Sequence, residues 1–175
     1  MPGPSDASGR LGVEVVARTT APVEVVWDLV ATAARWTEWS FVTRSVLERE
    51  GSPGPDGVGA LRRLTVAGRG SREAVVAFEP PHHLGYTIVS GFPVRNHRAD
   101  VVLEPSDPGE GAATGAGTVV RWTATFDPAV PGTGRATALL MRAVLGRLAR
   151  ALTRYADATG SPPAGPGGTG RSAGA

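Results

Sequence analysis

The sequence predicts an α+β fold: a curved seven-stranded antiparallel sheet wrapped around one long C-terminal helix, with one or two short helices after the first strand. Three observations predict it. After Pro131-Gly132 the chain runs to Ala158 without proline and with one interior glycine, Gly146, while apolar residues recur every three or four positions. Before it come seven shorter runs of strand character, most of them separated by Gly- and Pro-containing turns. Between the first run and the others lies an amphipathic segment, Thr20 to Trp39, that opens on a proline and closes on two tryptophans.

Leu11 to Thr19 reads as the first strand, with Leu11, Val13 and Val15 on one face. In the segment that follows, Pro22 suits a first helical turn, where its missing N–H costs nothing. Glu24 and Asp28 lie early, where the helix dipole favours negative charge. Val23, Val26, Trp27 and Val30 are spaced to make one apolar stripe. Ser45–Glu50 is the second strand, 51–59 a turn, Ala60–Val66 the third strand and Ala67–Gly70 a hairpin turn. Ser71–Glu79, Leu84–Ser90, Val94–Glu104 and Thr118–Asp127 supply the remaining four strands, with Pro105 to Gly117 as a long hairpin connection. Short connections favour an antiparallel meander. In the final helix, Ala138, Met141, Leu145, Leu148, Leu152 and Tyr155 form one seam, and Arg142, Arg147, Arg150 and Arg154 lie mostly off it. Such a helix needs a large apolar surface to cover, and the concave face of a curved sheet supplies one.

Composition narrows the classes. At 175 residues with 41% hydrophobic content, the chain reads as one globular domain over residues 10–159. Residues 1–9 and 160–175, rich in Gly, Pro and small residues, read as disordered tails. There is no cysteine, which excludes disulfides and thiolate chemistry. No apolar run approaches the roughly 20 residues of a membrane span, and the N-terminal residues lack a secretory apolar region, so a cytoplasmic protein is expected. All 18 basic residues are arginine, but they are dispersed among 16 acids, for a net charge of +2. A nucleic-acid partner would need them clustered, so none is expected. The chain is expected to be a monomer or homodimer.

Particular residues in this order resemble a known superfamily. They are Ala21-Pro22, Val26-Trp27-Asp28-Leu29 and Arg35-Trp36-Thr37-Glu38-Trp39 in the first helical segment. Further along come Gly57-Val58-Gly59-Ala60-Leu61-Arg62, Glu73-Ala74-Val75, Pro81 with Leu84-Gly85-Tyr86, Val101-Val102-Leu103-Glu104-Pro105, and Gly117 to Trp122 with Phe126. Together they resemble the START/polyketide-cyclase-like (SRPBCC) proteins, in particular the polyketide cyclase/dehydrase branch, over roughly Gly12 to Ala158. The resemblance implies the helix-grip fold with a cavity between sheet and helix. It implies a small hydrophobic, aromatic or polyketide-like molecule as partner, held in that cavity and cyclised or dehydrated there. Non-catalytic lipid or metabolite carriers and co-chaperone-type interaction modules share the fold, so both remain alternatives.

Strand alternation nominates the site. Val120, Trp122, Ala124 and Phe126 share the inner face of the seventh strand; Trp122 and Phe126 serve there as ligand lining or as plain core. Val120, Met141 and Leu145 complete the expected lining. On the sixth strand, Arg95, His97, Ala99, Val101 and Leu103 share a face. An inward His97 is a general acid or base near neutral pH, or a hydrogen-bonded structural histidine. Arg62 and Glu73 make a buried pair able to hold a polar substrate group, or else a cross-strand surface pair. Tyr86 offers a phenolic donor to a bound carbonyl. The expected catalytic set is therefore His97, Glu73, Arg62 and Tyr86. No cofactor is expected. The adjacent His82 and His83, with Glu79 nearby, lack zinc-site spacing, and no metal is expected either. Neither a Ser-His-Asp order nor a phosphate-binding glycine loop is readable.

Overall fold

Alternating apolar residues make β1 (Leu11–Thr19), whose odd-numbered side chains turn inward from Leu11 to Ala17. The computed structural model describes residues 10–106 and 117–160. The expected tails, apart from Gly160, and most of the 105–117 connection lie outside the described residues. After β1 come α1 (Val23–Ala31), a 3-10 turn at Ala33–Arg35 and the short α2 (Trp36–Trp39). Then follow β2 (Arg44–Arg49), β3 (Leu61–Val66), β4 (Arg69–Glu79), β5 (His83–Ser90), β6 (Val94–Ser106) and β7 (Gly117–Pro128), and finally α3 (Gly134–Gly160). The sheet order is β1-β7-β6-β5-β4-β3-β2, every pair antiparallel. It is a meander from β2 to β7, with β1 returned beside β7 in register from Leu11↔Phe126 to Thr19↔Thr118. The curved sheet closes over α3, as the seam requires.

The Thr20–Trp39 segment is two helices rather than one. Thr32 is extended, so α1 ends with carbonyls that no backbone N–H takes. Side chains take them instead. The Trp39 indole N–H donates to Leu29 O and that of Trp36 to Val30 O, each at 2.9 Å, and Arg62 Nη1 donates to Ala31 O at 3.4 Å. The two tryptophans are thereby buried with their only donors satisfied. Arg35 ion-pairs with Asp28 and Glu38 on the outside.

On α3, Met141, Leu145, Leu148 and Leu152 are all buried, and Ala149 and Ala156 beside them allow close approach. The helix is fastened at its far end by Asp157 Oδ1, which accepts from Thr19 Oγ1 at 2.6 Å, Thr20 N at 2.8 Å and Thr20 Oγ1 at 2.9 Å. Among the described residues, no helix is long and apolar enough to cross a membrane.

Two details differ from the sequence reading. The β3–β4 turn is only Ala67-Gly68, with φ of 47° and 79°, the positive pair that a two-residue hairpin demands. β4 therefore begins at Arg69, two residues earlier than expected. On β6, Arg95 does not share the inner face with His97. Asn96 has φ 50° and the pairing with β7 shifts between Arg95 and Arg98, so the alternation restarts there and Arg95 is exposed.

Candidate functional site

A cavity of about 520 Å³ lies between α3 and the β3–β6 part of the sheet. Its two walls differ in chemistry. The helix wall is apolar: Leu140, Met141, Val144, Leu145 and Leu148. The sheet wall carries Arg69, Ser71 and Glu73 of β4, Tyr86 of β5 and His97 of β6. Residues 69, 71 and 73 alternate on one strand and so point the same way.

At the inner end, polar groups meet in apolar surroundings. Arg62 is 0% exposed, and its guanidinium carbon stands 5.6 Å from the Trp36 ring centroid and 5.9 Å from that of Tyr86. Apart from the Ala31 contact its donors are unused: Nε and Nη2 have no partner. Glu73 is its register neighbour on β4, also buried, and Glu73 Oε2 has no partner. Burial pushes the Glu73 carboxyl up to about 7, against the opposing pull of Arg62. Glu73 is thus able to hold or release a proton near neutral pH.

Tyr86 and His97 supply the donors. Trp122 Nε1–H donates to the Tyr86 oxygen at 3.0 Å, which leaves the phenol proton free to be donated elsewhere. Burial, reinforced by the Glu73 charge, raises Tyr86 far above its ordinary value, so it remains a neutral donor. The Ile88 amide donates to His97 Nδ1 at 3.1 Å. The ring therefore accepts at Nδ1 and carries its proton on Nε2. Burial holds His97 down at about 4, with Asp100 opposing, so the imidazole is neutral at pH 7. Its Nε2 has no partner among the described residues.

A family model described as polyketide cyclase/dehydrase and lipid transport matches residues 10–158. The chain belongs to this family. No curated protein matches the sequence significantly. The polyketide cyclase/dehydrase and lipid transport fold recurs in solved structures. One is the protein XoxI from Bacillus cereus, with 19% identity over 82% of this chain and 94% of that one, at a TM-score of 0.66. Another is a START superfamily protein from Mycobacterium smegmatis, with 16% identity over 84% and 97%, at a TM-score of 0.69. Likeness at these identities concerns the fold.

For this member of the polyketide cyclase/dehydrase family, the residues expected from sequence divide into two groups. Glu73, Tyr86, His97, Met141 and Leu145 line the cavity. Arg62 stands behind Trp36 and Tyr86, buried rather than on the surface. Trp122, Phe126 and Val120 are 0% exposed and do not line the cavity. The correction has a physical reason: β7 lies beneath α1 and the tryptophan pair, with the Trp36 and Trp122 rings 6.1 Å apart edge to face, so its inner face is closed core. Sequence reasoning missed Trp36, Arg69, Ser71 and Leu148 as lining. Alternation from Glu73 back along β4 contained the signal for Ser71, and would have reached Arg69 had Ala67–Gly70 not been placed in a turn. Trp36 carried no signal beyond its place at a helix end. His82 and His83 lie away from the cavity: His82 Nδ1 pairs with Leu103 O at 3.1 Å and His83 Nε2 with Asp100 at 2.8 Å.

Proposed function

We propose that the protein binds a small, largely apolar molecule bearing a carbonyl in this cavity and catalyses its dehydration or ring closure. The carrying observation is the buried, unpartnered Glu73 carboxyl beside two free donors, Tyr86 O–H and His97 Nε2–H, in an otherwise apolar chamber. A pure carrier has no need of a proton-transferring group at the deep end, and an interaction module has no need of a cavity of about 520 Å³.

The chemistry follows from these roles. The substrate carbonyl oxygen accepts hydrogen bonds from Tyr86 and His97, which stabilise the negative charge that develops there. Glu73, as carboxylate, takes the proton from the adjacent carbon. In a dehydration, the resulting enolate expels a hydroxyl from the next carbon, and the Glu73 proton goes with it as water, leaving a double bond conjugated to the carbonyl. In a ring closure, the same enolate attacks a second carbonyl carbon of the substrate, and Glu73 protonates the new alkoxide. Arg62 positions Glu73 and Tyr86 from behind. His97 acts as a donor rather than as a base, because its basic nitrogen Nδ1 already accepts from Ile88.

The test compares wild type with Glu73→Gln on a panel of β-hydroxy ketones and polyketide-like ketones. Turnover should fall about 100-fold or more in the variant while binding, followed by quenching of Trp36 fluorescence, persists. Binding without conversion by the wild type across the panel would give first place to the carrier reading, which the lipid-transport side of the family supports.

A further inference from the structure

Arg69 differs from most arginines around it. On the outer face, Arg63 and Arg72 both hold Glu48, Arg98 holds Asp100 and Arg121 holds Glu14. Arg69 is exposed and lines the outer end of the cavity, and its side chain has neither an ion pair nor a hydrogen bond among the described residues. It is also well placed. The two-residue turn Ala67-Gly68 starts β4 at this side chain. The neighbouring β5–β6 turn presses against the next residue of β4 backbone to backbone: a Cβ on Gly91 would stand 2.1 Å from Gly70 O. The rest of the rim, Phe92 and Pro93 of that same turn and Leu140 of α3, is apolar. Below Arg69 on the same strand face stands Ser71, whose hydroxyl has no hydrogen-bond partner among the described residues either, and then Glu73.

We infer that Arg69 is an anion-recognition residue at the cavity mouth and that the ligand is an organic acid with a second oxygen function at its far end. The inference rests on the proposed role of the cavity as the ligand site. The acid group meets the Arg69 fork, assisted by the Ser71 hydroxyl, and the apolar body lies along α3. The second oxygen reaches Tyr86 and His97. Glu73 lies four residue steps along the strand from Arg69, about 13 Å at the usual rise, which a chain of about ten bonds spans. A planar guanidinium matches a carboxylate with two parallel hydrogen bonds, and the rim offers the acid no competing cation within the lining.

The experiment uses the full chain and a neutral reporter, N-phenyl-1-naphthylamine, displaced by 10-hydroxydecanoic acid, its methyl ester and decanoic acid. Wild type should bind the hydroxy acid about five- to tenfold more tightly than the ester, and more tightly than decanoic acid. Arg69→Gln should bring the acid to the level of the ester and leave the ester unchanged, with an unaltered melting curve because Arg69 is exposed. Arg69→Lys should keep part of the preference. Equal competition by acid and ester in wild type, or an unchanged preference in Arg69→Gln, overturns the role of Arg69 while leaving the cavity reading intact. Equal competition by the hydroxy acid and decanoic acid overturns the second anchor. Failure of the reporter to bind any of the proteins overturns the cavity reading, and this inference with it.

Discussion

Glu73 and His97 face the same cavity and carry opposite pH dependences. Glu73 keeps its proton in the folded state up to about pH 7, whereas an unfolded carboxyl releases it near 4.5. The unfolded state is therefore favoured progressively as pH rises between those values. His97 refuses a proton in the folded state down to about pH 4, whereas an unfolded histidine accepts one near 6.5. The unfolded state is favoured as pH falls through that window. Each effect amounts to about 3 kcal/mol over its full range, and the two slopes offset each other between about pH 4.5 and 6.5. Relative to wild type, Glu73→Gln should gain about 3 kcal/mol of stability between pH 4.5 and 7. Urea denaturation of both proteins across that range checks this, and parallel curves would remove the buried-carboxyl assignment. Arg62 opposes the upward push on Glu73, so Arg62→Met should raise the Glu73 titration further, visible as an upward shift of the carboxyl carbon midpoint by NMR. An unmoved midpoint would mean that the two groups do not interact.

At the scale of elements, two devices hold the site. One is the tryptophan closure of α1. Trp36→Phe and Trp39→Phe keep most of the ring volume but lose the donors to Val30 O and Leu29 O. Each should cost about 1–3 kcal/mol, the usual cost of an unpartnered buried acceptor. The other is the seam of α3. Its residues are not equivalent: Leu152 is 0% exposed and lies off the cavity, whereas Leu148 lines it. Leu152→Asp should unfold the domain, because an unpaired charge in closed core costs several kcal/mol. Leu148→Asp should cost less, since the cavity gives its carboxylate access to water. Thermal melts of the two variants rank them, and the reverse order would contradict the cavity's position. The seam was legible from spacing alone. Which part of it meets core and which part meets the cavity was not, because both environments select the same apolar residues.

Across the whole molecule, the sheet closes by pairing its first strand with its last, and Asp157 ties the end of α3 to the end of β1. Burial pushes the Asp157 carboxyl up, but the Thr19 hydroxyl, the Thr20 amide and the Thr20 hydroxyl outweigh it and hold it below its ordinary value. Its contribution is therefore present above the ordinary carboxylate range and is lost as pH falls through the folded-state value. Asp157→Ala should lower the melting temperature at pH 7, and the difference from wild type should shrink in acid. A constant difference would mean that the clasp does not depend on the charge. A ligand that fills the cavity should raise the melting temperature with its concentration, because it binds the folded state alone.

The sequence by itself determined the class of fold, the order of its elements and the inward faces of β1 and β7, but it left β3 and β4 open between a buried and a surface Arg62–Glu73 pair. Period-two and period-3.6 spacing of apolar residues is a local property, and burial of one face follows from it wherever the chain goes. It also nominated Glu73, Tyr86 and His97, since parity placed them among apolar neighbours. Only the tertiary structure decided that Trp122 and Phe126 are core while Trp36 is lining, because that depends on which helix covers which strand. Only it decided that Arg62 serves the end of α1, which lies 31 residues away in sequence. A two-residue turn moved Arg69 from loop to strand, and with it the mouth of the cavity gained a charge. Cavities form where elements packed from distant parts of the chain fail to touch, and no local pattern records that gap.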